Sequence, residues 1–395
     1  MLSQAAGVLC GIIGVRLATQ LVPPALYGEF GVFLSFITLG PWVVHAGLIR
    51  YVSRNWATAT ERAAAAASLA TLAFRRLPWL LVASGAAALS FSVWTWPSAT
   101  ALLFATTAFL SFGGLAQAAL QAERRHWRDL AVNLTVSTTR TFLPLLLFAA
   151  TGAAVALPAG LLLSALSFAA IALIGLGVVP RGTGDRPALA GSFTGPLFPL
   201  VALSGWATSG ATRWVAAGIL PADEVGYFVL ANSVGTLLPG VLVAISIQYV
   251  QPAWFSRPHS TQDDRRALLR HVDQAAAVFG VAALSAITIL QLVAPWLVGP
   301  LIHPDFQSAL SYLFPAGCFA IATATTVFYQ SLLLAVRRED RIGAIEAAFA
   351  LGLVGTGVCA GWAGSEWFSL WLLTSPVWPW FLYRTLVRHA LLTPA

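Results

Sequence analysis

Three arginines fall inside long apolar stretches of this chain: Arg16, Arg140 and Arg213. A charged side chain near the centre of a membrane helix costs roughly 2.5–3.5 kcal/mol on insertion scales. Three of them imply a shared polar cavity. A guanidinium presents a planar fork of donors that matches phosphate oxygens, so the chemistry implied is binding of an anion such as a diphosphate. Trp206 lies two helical turns before Arg213, and Trp214 lies beside it; both indoles could stack on sugar faces. These five residues are the substrate-binding candidates. A plainer reading stands next to that one. Arg16 and Arg213 each lie about two turns from the outer end of a span, close enough to snorkel to headgroups. The two indoles could equally be packing residues. Glu29 follows Pro23 by 6 positions, near the depth of Arg16 across an antiparallel hairpin, so an Arg16–Glu29 salt bridge is expected. The position equivalent to Glu29 in the second half is Tyr227, which cannot neutralise Arg213.

Titratable groups for coupling are few. His45 is the only histidine well inside a span, and Glu29 and Glu346 are the only carboxylates near span interiors. A histidine there could titrate near physiological pH, or serve as a hydrogen-bonded packing residue. Glu346 lies one turn inside the inner end of its span, where it could reach cytoplasmic water near Arg341. Pro41 and Pro239 sit mid-helix and are hinge candidates. No catalytic set accompanies them. All 22 basic residues are Arg, which excludes a Walker A lysine and a Schiff-base lysine. Cys10, Cys318 and Cys359 have unrelated spacings and make neither a disulfide framework nor a zinc site. We expect no enzyme, no metal and no cofactor.

The elements that must position these residues are membrane helices. Hydrophobic residues make up 58% of the chain, 9% is charged, and mean hydropathy is +0.79; a soluble domain carries roughly 25% charge. Apolar stretches of spanning length recur throughout. The pattern predicts twelve spans, at 2–22, 27–50, 77–94, 98–120, 130–150, 155–179, 197–220, 225–250, 273–296, 307–334, 343–363 and 367–388. The first is read as a span and not a removed leader, because no basic n-region precedes it. Nineteen of the 22 Arg fall in connections after even-numbered spans or at the C-terminal end, and connections after odd-numbered spans hold none. By the positive-inside rule both termini are cytoplasmic. The same rule accounts for the net charge of +7 without a nucleic-acid partner. Thr58 with Glu61, and Ser260 with Asp263, mark the starts of short amphipathic helices on the inner face.

Residues 23–56 align without a gap onto 221–254, with 13 of 34 positions identical. Gly28/Gly226, Ser35/Ser233, Pro41/Pro239 and Tyr51/Tyr249 are among them, and I-x-Y-V-x-x-x-W closes both copies. The chain therefore reads as an all-α polytopic membrane protein of two pseudo-symmetric six-helix bundles around a central cavity. The bundles would be 1–179 and 197–395, with a cytoplasmic linker at 180–196 rich in Pro, Gly and charge. Duplicated bundles of this kind rock against each other in transporters.

The stretch from Arg16 to Phe30 contains P-x-x-Y-G-x-F, and the second half supplies Arg213 followed by ILPADEVGYF (219–228). HPDFQSALSYLFP (303–315), followed by LLLAVRREDRIG, closes the series. In this order the motifs resemble those of polysaccharide flippases. These are the O-antigen translocases of the multidrug/oligosaccharidyl-lipid/polysaccharide exporter superfamily. The resemblance implies a bacterial inner-membrane protein that moves an undecaprenyl-diphosphate-linked oligosaccharide, for O-antigen or exopolysaccharide, to the periplasmic leaflet by alternating access. It implies as partners that lipid-linked glycan, membrane lipids, and a glycan polymerase and glycosyltransferases. An ion-coupled multidrug or small-molecule exporter of the same superfamily is the first alternative. A cation exporter should carry intramembrane carboxylates, and this chain carries arginines. A membrane glycosyltransferase or polymerase needs a sizeable outer loop, and the outer connections, such as residues 221–224, are too short. A non-transporting scaffold is the last alternative, and the Arg retained in both halves argues weakly against it.

Overall fold

The computed structural model describes residues 2–55, 62–123, 125–176, 206, 210–249, 261–335, 339–374 and 377–392. Among them the chain is helical, with no sheet. The helices are α1 (Leu2–Leu21), α2 (Pro24–Asn55), α3 (Arg62–Ala88), α4 (Trp96–Ala122), α5 (His126–Thr151) and α6 (Ala156–Leu176). Then follow α7 (Ala211–Ile219), α8 (Ala222–Tyr249), α9 (Gln262–Leu297), a 3-10 helix (Pro304–Ala309), α10 (Leu310–Ala335), α11 (Glu339–Ala363), α12 (Ser365–Thr374) and α13 (Val377–Leu392). Six helical stretches among the described residues are long and apolar enough to cross a membrane. The protein is an all-α, multi-pass membrane protein.

The chain divides into two compact units, residues 1–22 with 29–203, and residues 23–28 with 204–395. Within the first unit α1 packs on α5, α3 on α4, α4 on α6, and α5 on α6. Within the second unit α7 packs on α11, α9 on α10, α10 on α12 and α13, and α11 on both as well. The second unit also packs α8 extensively on α10.

Packing follows membrane rules. Lipid offers no hydrophobic drive for helices to associate, so small residues and close contact must supply it. Leu115, Ala119, Leu120, Val132, Phe168 and Ala172 form a buried cluster from α4, α5 and α6. Gly113 gives the Phe168 ring its room: a Cβ there would lie 2.5 Å from Cδ1. The hydroxyls of Thr139 and Ser164 meet across α5 and α6 at 2.8 Å. Exposed Trp96, Trp127, Trp296 and Trp367 lie near helix ends, as an interfacial belt requires.

Three expectations change. The inner amphipathic segments are not separate helices. The Ala-rich run after Arg62 continues unbroken into α3, and Gln262–Leu297 is one helix of 36 residues. No Gly or Pro interrupts residues 62–77 or 262–279, so nothing stops propagation. The second-half cap is Thr261 with Asp264, not Ser260 with Asp263. Thr261 Oγ1 accepts from Asp264 N at 3.1 Å, and the Asp264 carboxylate accepts from Thr261 N at 3.2 Å. Thr58 and Glu61 lie outside the described residues. The third span ends at Ala88, because Phe91 and Trp94 fold back onto Phe33 as a buried aromatic cluster with ring centroids 4.8–5.9 Å apart.

Candidate functional site

Arg16 and Arg140 come together in the first unit. They lie on α1 and α5, which pack along a seam of small residues. A Cβ on Gly7 would touch Ser137 Oγ at 3.7 Å, and Thr141 fills the space over Gly14. Gly14 precedes Arg16 by two positions, and Thr141 follows Arg140 directly. The seam therefore puts both guanidiniums at one level of the unit. Gln20, one turn beyond Arg16 on α1, turns its amide oxygen back and accepts from Nε at 3.2 Å and Nη2 at 2.7 Å. Glu29 has a different set of donors from the one expected. Its carboxylate accepts from the Ser92 hydroxyl and, at 3.3 Å, from Val93 N. Glu29 thus secures the connection between α3 and α4.

Arg213 sits on α7 in the second unit, partly buried. Its Nη2 donates to Ser233 Oγ on α8 at 3.3 Å, and that hydroxyl also bonds back to Val229 O at 2.7 Å. The Tyr27 phenol lies within electrostatic reach of Arg213. Tyr27 is itself buried, with Phe306 edge-on at 5.6 Å. Phe306 is fully buried in the 3-10 helix, which His303 caps by accepting from Asp305 N at 3.4 Å. The H-P-D-F motif is therefore a cap, a helix start and a plug. Gly28 and Gly226 are in backbone contact beside this cluster. A Cβ on Gly28 would lie 2.8 Å from Gly226 N, and one on Gly226 would overlap Pro24 O.

Trp206 and Trp214 meet edge to face at 6.5 Å. They line a groove of about 380 Å³ between α7 and α11, together with Val215, Val354, Val358 and Trp362. Its surface is mostly hydrocarbon and indole.

The remaining candidates are dispersed. Glu346 is buried, at 6% exposure, and accepts from Gln330 Nε2 on α10. Pro239 is buried within α8, which continues through it. Pro41 and His45 lie on α2 where the helical backbone alone is described. No group of three or more metal-ligating side chains occurs among the described residues.

Three residues at or near the candidate site escaped the sequence reading. Ser233 carried a signal, as one of the identical positions of the repeat, and Tyr27 stands in P-x-x-Y-G. Asp273 carried none. It accepts from Arg384 Nε at 2.8 Å and Nη2 at 2.5 Å, and from Tyr329 Oη at 2.8 Å, tying α9, α10 and α13 together.

No protein-family profile and no curated sequence matches the chain. Solved structures do. The lipid II flippase MurJ in an inward closed conformation aligns with a TM-score of 0.73 over 99% of this chain and 87% of its own, at 11% identity. An inward-facing multidrug resistance MATE family transporter of the MOP superfamily aligns at 0.68 over 99% and 96%, at 14% identity. An outward-facing MATE family transporter aligns at 0.59 over 98% and 96%, also at 14% identity. The chain therefore has the fold of MOP superfamily transporters. Among those compared, the lipid II flippase superposes with a higher TM-score than either multidrug transporter.

Proposed function

We propose that this protein is a flippase that carries an undecaprenyl-diphosphate-linked oligosaccharide across the bacterial inner membrane by alternating access. The observation that carries the reading is Arg213. It is a permanent cation within an apolar stretch, and its Nη2 donates to the neutral Ser233 hydroxyl. A guanidinium presents a planar fork that suits diphosphate oxygens, and Arg16 and Arg140 supply two more in the first unit. The fold shared with a lipid II flippase supports a lipid-linked substrate. In this reading Arg16, Arg140 and Arg213 bind the diphosphate, and Trp206 and Trp214 complete the substrate-binding set. Pro41 and Pro239 bend α2 and α8 as access alternates. His45, Glu29 and Glu346 are the coupling candidates, with Glu29 also securing the α3–α4 connection. The glycan polymerase and glycosyltransferases of the same assembly line are the expected partners.

The test is complementation of a flippase-deficient strain with membrane levels measured in parallel. Arg213→Ala should abolish glycan export at normal expression. Full export by that variant would reduce Arg213 to an interfacial anchor and sink the anion-binding mechanism. Selective loss of drug or cation efflux instead would favour the small-molecule exporter.

A further inference from the structure

The groove between α7 and α11 carries a second assignment. Its walls are three indoles and three valines. Gly218 forms part of its lining, and a Cβ there would meet nothing within 4 Å. One end is shut where Ile219 fills the space over Gly361. No charged side chain lines it. Arg213 is on the same turn of α7 as Trp214, about 100° around the helix, with its guanidinium directed to Ser233 on α8. One helix turn therefore offers a cation on one side and an apolar trough on the other. A soluble sugar phosphate would use only the cation. A neutral lipid would use only the trough. An amphiphile with an anionic head and a long hydrocarbon chain uses both.

We infer that the α7–α11 groove is a binding site for the isoprenoid chain of the anionic lipid whose diphosphate Arg213 contacts. The identity of the head rests on the flippase reading; the occupation of the groove by the chain can be tested without transport. The indoles present flat apolar faces to a methyl-branched chain, and Gly218 keeps the floor clear. Charge complementarity at Arg213 sets the chain apart from the neutral hydrocarbon of bulk lipid.

The experiment uses the full chain in nanodiscs with a long-chain polyprenyl diphosphate bearing a terminal diazirine. Crosslinked peptides are mapped by mass spectrometry. Labelling should concentrate on peptides from α7 and the second half of α11. Unlabelled polyprenyl diphosphate should compete, and phosphatidylglycerol should not. Gly218→Leu fills the floor and should lower this labelling about tenfold, equal to about 1.4 kcal/mol, or roughly two buried methylenes. Gly280→Leu, at another open glycine on α9, should leave it unchanged. Gly218→Ala, a smaller change, should give an intermediate loss and guards against misfolding of the larger variant. Labelling spread evenly over all helices, or displaced equally by phosphatidylglycerol, would show annular lipid and overturn the site. Uncharged polyprenol of equal length separates the two readings. If it labels the groove as well as the diphosphate does in the unaltered protein, the groove stands and the Arg213 contact fails.

Discussion

The proposed chemistry concentrates in a few guanidiniums, and their surroundings decide what each substitution should do. Arg213→Lys keeps the charge but loses the two-pronged geometry, so export should fall partway, by about tenfold for a lost charge-assisted hydrogen bond of roughly 1.5 kcal/mol. Export by Arg213→Lys equal to that by Arg213→Ala, in the complementation assay, would show that fork geometry is everything. Arg16→Ala has a cleaner expectation than the sequence allowed. Glu29 has Ser92 and Val93 as donors, so removing Arg16 does not strand a bare carboxylate. The variant should insert and melt within about 1 kcal/mol of the parent, the usual range for a partly exposed polar side chain, while losing export. The sequence showed these arginines because charge in an apolar run is conspicuous. It could not show their partners, since Gln20, Ser92 and Ser233 are short polar residues common in membrane helices. Glu346 illustrates the same limit. Its place near a span end suggested water, whereas helix pairing in three dimensions buries it against Gln330.

At the helices and their junctions, glycine and proline carry most of the legible information. Gly28 and Gly226 are identical positions of the repeat because their backbones touch one another and the Pro24 segment. Gly226→Ala places a Cβ onto a carbonyl oxygen that cannot move as a side chain would. It should cost about 1–3 kcal/mol, the range of overpacked sites, read as a lower melting temperature in detergent. Gly218→Ala, in open space, should leave the melting temperature unchanged or raise it slightly, because Ala favours helix. Equal melting temperatures for the two variants would overturn the close approach. The Asp273–Arg384–Tyr329 cluster belongs here as well, as it ties three helices. Both charged side chains are partly exposed, at 25% and 37%, so Arg384→Ala should cost about 1–2 kcal/mol and not the larger figure of a sealed pair. Helix type and order were readable from apolar length and Arg spacing. Helix ends were less so. The fold-back of Phe91 and Trp94 looks, in sequence, like the end of a span, and an inner amphipathic helix cannot be told from the first turns of a longer one without a breaker between them.

For the molecule as a whole, orientation in the membrane is the property that the repeat and the arginines jointly imply. The asymmetry of 19 arginines against none across the two sets of connections has a second cause beyond membrane orientation. Arg125 Nη1 donates to Gly175 O at 3.1 Å, and Arg128 Nη1 donates to the same oxygen at 2.5 Å. Both tie the start of α5 to a carbonyl in the last described turn of α6. The Arg-rich motif after the fourth span is therefore a structural tie as well as a topological signal. The two roles agree, since the carbonyl end of α6 and the start of α5 must then lie on one side. With Cys10, Cys318 and Cys359 replaced, single cysteines at positions 126 and 339 should be silent to a membrane-impermeant thiol reagent in intact cells and react after lysis. A cysteine at position 223, in the connection at residues 221–224, should react from outside. Replacing Arg125 and Arg128 together by Gln separates the causes. Orientation should hold, because the arginines of the other inner connections still vote the same way. The melting temperature should fall, because neutral amides hold the Gly175 carbonyl less well. Inversion of position 126 in that double variant would mean that these two arginines set the topology themselves. Outside labelling of position 126 or 339 in the otherwise unaltered chain would break the twelve-span arrangement, and with it the placement of Arg213 on a spanning helix from which the transport proposal starts.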